Sequence, residues 1–94
     1  MAERLAKLRS RISEIDREIV KLLAQRISVV PEIAEIKREM GLPLVDKQRE
    51  VEVLEKVSSW AEEFKVNPAY VRCVYKAIIE CTTRLEKEFY EGKP

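Results

Sequence analysis

Residues 3–40, ERLAKLRSRISEIDREIVKLLAQRISVVPEIAEIKREM, decide the fold. Leu5, Leu8, Ile12, Ile15, Ile19 and Leu22 recur at alternating spacings of three and four, which draws one apolar stripe along a helix. The next position in the pattern is Arg26, and the stripe resumes at Val29, Ile33 and Ile36. A guanidinium cannot shed its charge, so burying it is costly unless it meets a partner. Arg26 therefore either pairs internally or marks an anion-binding pocket, and the periodicity alone allows both.

Pro31 lies inside the same pattern. It removes one backbone hydrogen bond and costs about 3 kcal/mol relative to alanine. A break there would leave Val30 as the capping residue, a poor choice, and the stripe runs through the site. The expectation is one kinked helix over about residues 3–40, stopped by Gly41 and Pro43. Asp46 then caps a second helix over about 47–64, with the stripe Glu50, Leu54, Val57, Ala61 and Phe64. Asn67 followed by Pro68 opens a third over about 68–90, with the stripe Val71, Tyr75, Ile78, Thr82, Leu85 and Phe89.

With 94 residues, 2 Gly and 4 Pro, the chain reads as a single all-α domain. Its first helix would span about 57 Å, whereas a compact chain of this size has a radius of gyration of about 12 Å. Much of helix 1 must protrude, yet its stripe is apolar from end to end. An intertwined homodimer, in which helical bundles from two chains cover each other's stripes, resolves the conflict.

A net charge of +1 offers no basic surface for nucleic acid or a membrane. No apolar run reaches the roughly 20 residues of a membrane span, and the charged N-terminus has no signal-peptide core; a cytoplasmic protein is the expectation. There is no histidine, which removes the commonest general base and the usual partner of nucleophilic Ser or Cys. No metal-ligand spacing occurs, so neither a metal nor a cofactor is expected. Cys73 and Cys81 would project about 80° apart on one helix and about 12 Å along it, too far for a disulfide; they read as two small buried thiols.

Several polar residues interrupt this pattern together. Lys37 follows Arg26 by eleven residues, three turns with about 20° of offset, so both cations face one side. Arg9 projects about 100° away from Arg26 and cannot share that face within one chain; in a dimer it could reach the partner's site. Asp46, Arg49 and Glu50 cluster in the first turn of helix 2. Capping explains Asp46 but not Glu50, which heads an apolar stripe. Thr82 and Glu86, four apart, are neighbours on helix 3. Each has an ordinary alternative: solvated arginine, surface lysine, back-bonded threonine or exposed glutamate. Together they describe a pocket rich in fixed cations and free of nucleophiles, suited to a small, multiply anionic ligand with hydroxyls.

The segments LRSRISEIDREIVKLLAQR, EIAEIK, PLVDKQRE and IIECTTRLE resemble the small all-α chorismate mutases over nearly the whole chain. The resemblance implies an intertwined dimer of three-helix chains that converts chorismate to prephenate without a cofactor. By position, Arg9 resembles the arginine donated by the partner and Arg26 the in-chain carboxylate-binding arginine. Lys37 resembles the lysine at a substrate carboxylate and the ether oxygen. Asp46 and Glu50 match positions around the ring hydroxyl, with Arg49 beside them. Thr82 stands where a serine is common. Glu86 departs from many bacterial members, which carry glutamine there, and matches fungal ones. Since only a protonated carboxyl can donate to the ether oxygen, Glu86 is expected to act as a neutral acid. The alternatives are an isochorismate-pyruvate lyase on the same scaffold, disfavoured by Asp46 and Glu50, and a non-catalytic helical dimerisation or regulatory module. No segment for an effector is evident, so feedback by amino acids is not expected.

Overall fold

The computed structural model describes residues 1–92. Helix α1 spans Ala2–Ser28, α2 Val30–Met40, α3 Lys47–Glu63 and α4 Pro68–Tyr90, and no strand occurs among the described residues. Helices α1 and α2 are the two arms of the long first helix, so the chain is all-α with a bent leading rod. The expected single helix follows this path but differs in detail, because the helical ladder is interrupted at Val29. That residue keeps right-handed angles, φ −93° and ψ −8°. Pro31 falls in the first turn of α2, where a missing N–H costs least. The Ile33 N–H bonds the Val29 carbonyl at 3.2 Å, so the helix restarts at once.

The other boundaries follow from capping chemistry. Gly41 takes a left-handed φ of 66°, and the Leu42 N–H reaches back to the Lys37 carbonyl at 2.8 Å, which closes α2. Asp46 caps α3 by accepting from the Arg49 N–H at 3.0 Å. Asn67 caps α4 by accepting from the Ala69 N–H at 2.9 Å, with Pro68 in the first turn. Between α3 and α4 the left-handed position belongs to Lys65, φ 58°, and the Val66 N–H bonds the Ala61 carbonyl at 2.8 Å. A glycine would adopt that angle without a Cβ penalty. Phe64, expected on the inner stripe of α3, is exposed instead: it lies one residue past the helix, where the chain turns off the helical path.

Helix α4 is the centre of the chain and packs against both α3 and α2. Val30, Ala34, Val57 and Ala61 are its buried apolar neighbours on those two helices. Helix α1 buries no residue and extends the molecule to 57 Å along its longest axis, with a radius of gyration of 16.9 Å. Leu5, Leu8, Ile12, Ile15, Ile19 and Leu22 are each 49–59% exposed in the single chain. Cys73 and Cys81 are free thiols, as expected, but both are exposed. The expectation of burial was wrong because α4 turns its Thr82 and Glu86 side, not its cysteines, toward α2.

Candidate active site

Arg26 near the end of α1 and Lys37 on α2 face a cavity of about 320 Å³. From the opposite side α4 presents Thr82 and Glu86, and the start of α3 closes it with Asp46, Arg49 and Glu50. Of the residues singled out from the sequence, only Arg9 does not line this cavity; it sits on the exposed first half of α1. Helical geometry accounts for the convergence. Eleven residues bring Arg26 and Lys37 to one side of the rod, and Val29 between them keeps right-handed angles. Four residues set Thr82 and Glu86 one turn apart. The N-cap fixes Asp46, with Glu50 one turn on.

Arg26 donates from Nη1 to Thr82 Oγ1 at 2.5 Å. The same hydroxyl donates to the Ile78 carbonyl at 2.8 Å, so its lone pairs are turned to the guanidinium. Among the described residues no carboxylate is ion-paired with Arg26. The interrupting arginine is half-buried and held by a neutral hydroxyl rather than by a carboxylate, so most of its five donors have no partner within the described chain.

Lys37 is ion-paired with Glu86 and also donates to the Leu44 carbonyl at 2.9 Å. The ammonium thus faces a carboxylate and a backbone carbonyl at once. Glu86 is buried, and its Oε1 is met by the Lys37 charge without an aligned hydrogen bond. At the other end the charges lean outward. The Arg49 guanidinium is 3.7 Å from the exposed Glu52, and Glu50 is 3.8 Å from the exposed Lys47. Contacts that long and wet contribute little, so Arg49 and Glu50 can turn to a ligand at small cost, while Asp46 holds the cap of α3 with one oxygen.

The remaining walls are mostly apolar and include Ile33, Val53 and Ile79. None of the three stands out in the sequence as a cavity residue: Ile33 falls on the apolar stripe of the first helix, and Val53 follows Glu50 by three residues and so shares its face. Sequence reasoning also missed the Leu44 carbonyl, because a backbone acceptor leaves no mark in residue type. The assembly fixes positive charge at one end of an apolar-walled cavity and hydrogen-bonding groups at the other. It contains no thiol or activated hydroxyl. Among the described residues no cluster of His, Cys, Asp and Glu is arranged to hold a metal, and no helix is long and apolar enough to cross a membrane.

Comparison with known proteins bears on what such a cavity does. Residues 8–87 match the family model for chorismate mutase type II. The chain is 34% identical over 91 residues to a chorismate mutase of Methanocaldococcus jannaschii, covering 97% of this chain and 92% of that one. It is 36% identical over 84 residues to a bifunctional chorismate mutase/prephenate dehydratase of Buchnera aphidicola, covering 89% of this chain and 22% of that protein. A protein of the same description from Aquifex aeolicus is 38% identical over 90 residues, 92% of this chain and 25% of its own length.

Proposed function

This chain belongs to the chorismate mutase type II family, and from that premise we propose that its cavity binds chorismate and rearranges it to prephenate. The reaction is an intramolecular isomerisation. The ether carbon–oxygen bond breaks as a new carbon–carbon bond forms, and negative charge builds on the ether oxygen. No proton need be abstracted and no nucleophile is consumed, which matches the side chains on the cavity wall.

The observation that carries this reading is Arg26, a half-buried guanidinium without a carboxylate partner in the described chain. In our reading it grips one substrate carboxylate in a two-pronged contact. Thr82 holds it in place. Lys37 turns from the Leu44 carbonyl to a carboxylate and the ether oxygen, where a fixed cation favours the transition state over the ground state. Glu86, once protonated, donates to the same oxygen. Asp46 and Glu50 accept from the ring hydroxyl, beside Arg49. Clamping the two carboxylates also holds the flexible substrate in its compact reactive shape.

The dimer belongs to the same proposal. The apolar stripe on α1 is about half exposed over six successive positions. A second copy, crossing this rod with its own, would cover it and bring its Arg9 to the open side of the cavity. The partners are then a second copy of the chain and the small dicarboxylate substrate. The test is direct: purified protein with chorismate, following loss of substrate and appearance of prephenate. A parallel incubation with isochorismate, watched for pyruvate, separates mutase from lyase. Prephenate from the first and no pyruvate from the second is the expected result.

A further inference from the structure

The loop between Gly41 and Asp46 supplies the Leu44 wall and the Asp46 carboxylate, and it has no helical hydrogen bonds of its own between the closure of α2 and the cap of α3. Two side chains tether it to the rest of the chain. Lys37 donates to the Leu44 carbonyl, and the Tyr90 hydroxyl, at the end of α4, donates to the Leu42 carbonyl at 2.9 Å. These tethers differ in kind. The Lys37 ammonium is shared with Glu86 inside the cavity, and in the proposed reaction it turns to the substrate. Its hold on the loop therefore competes with its task. Tyr90 does not line the cavity and has no such competition.

We propose that Tyr90 is a positioning residue for the reaction, acting through the loop rather than on the substrate. This rests on the cavity being the chorismate site. Its hydroxyl fixes Leu42, so that Leu44 and Asp46 keep their places when Lys37 exchanges the Leu44 carbonyl for a substrate oxygen. The end of α4 is braced for this: Arg38 Nη1 lies 3.4 Å from the Phe89 carbonyl, which joins α2 and α4 next to the tether. Tyr90 itself is half-buried, so its ring stays seated without the hydroxyl.

The experiment is Tyr90→Phe, alone and combined with Asp46→Asn, a substitution that keeps the helix cap. Tyr90→Phe is expected to raise KM for chorismate about fivefold, the factor one ordinary hydrogen bond is worth. Turnover should stay within about twofold of wild type, the melting temperature should hold, and amide exchange in the loop should quicken. In the Asp46→Asn background the KM effect should largely disappear, because the contact that Tyr90 serves is already weakened. Unchanged KM and exchange would overturn the proposal, and so would a KM effect of equal size in both backgrounds. Exchange needs no substrate. A wild type that forms no prephenate would defeat the chorismate reading, while the exchange result would still decide the tether.

Discussion

Lys37 and Glu86 are ion-paired inside the cavity, with side chains only 17% and 9% exposed. The pair holds the lysine over the site and keeps it from bulk water. It also sets a requirement. An ionised Glu86 can only accept, so donation to the ether oxygen needs a proton on that carboxyl.

Glu86→Gln carries permanent amide donors at the same position. If donation from this position serves the reaction, the glutamine variant should keep or raise kcat/KM for chorismate, while Glu86→Ala should lower it about tenfold or more. The check is kcat/KM for the three proteins side by side. Equal values for the glutamine and alanine variants would remove Glu86 as the donor.

Thr82 is the anchor of Arg26. Thr82→Val keeps the shape and removes the acceptor, and should lower kcat/KM about tenfold by freeing the guanidinium. Thr82→Ser should retain most activity. Equal activity of the serine and valine variants would show that the hydroxyl does not position Arg26.

If Arg9 completes the partner's site, Arg9→Ala and Arg26→Ala homodimers should each be nearly inactive. Equal mixing with subunit exchange should restore about a quarter of wild-type activity, since half the dimers would carry one intact site of two. A mixture that stays as inactive as its components would contradict donation across the interface.

The α1 stripe gives a separate test of assembly. Ile12→Asp places a charge in the middle of the apolar face, a burial too costly for an interface to absorb. Sedimentation should show the mass fall from two chains to one, with activity lost. A dimer unaffected by this change would move the interface elsewhere.

Lys65 holds a left-handed φ of 58° that favours glycine. Lys65→Gly should stabilise the chain by about 1 kcal/mol, which raises Tm by about 5 °C for a domain of this size. Activity should not change, because Lys65 does not line the cavity. Thermal unfolding followed by circular dichroism reads this directly.

Much of the molecule was legible in residue order because helical periodicity is a strong signal. The stripe on α1 and the arginine within it gave both the rod and the position of the site. Asp46, Asn67 and Gly41 marked helix ends by the chemistry of capping. What escaped were features that residue type does not encode. The bend itself was legible in Pro31, but its place at Val29 was not, because periodicity runs across it. The left-handed Lys65 occupies a position where glycine would have announced the turn. The Leu44 carbonyl and the outward face of Cys73 and Cys81 depend on how α4 is rotated between its neighbours, which is a tertiary choice. For the site, the sequence gathered the ionisable residues but not the apolar walls. Ile33, Val53 and Ile79 look like any other core residues.

The central claim is that Arg26 waits, uncompensated, for a substrate carboxylate. The measurement that bears on it most directly is kcat/KM for chorismate with wild type and Arg26→Ala side by side. The account predicts prephenate formation by the wild type and a loss of about a hundredfold or more in the variant, the scale of a charged donor removed from a transition state. An Arg26→Ala protein that rearranges chorismate as fast as wild type would contradict it.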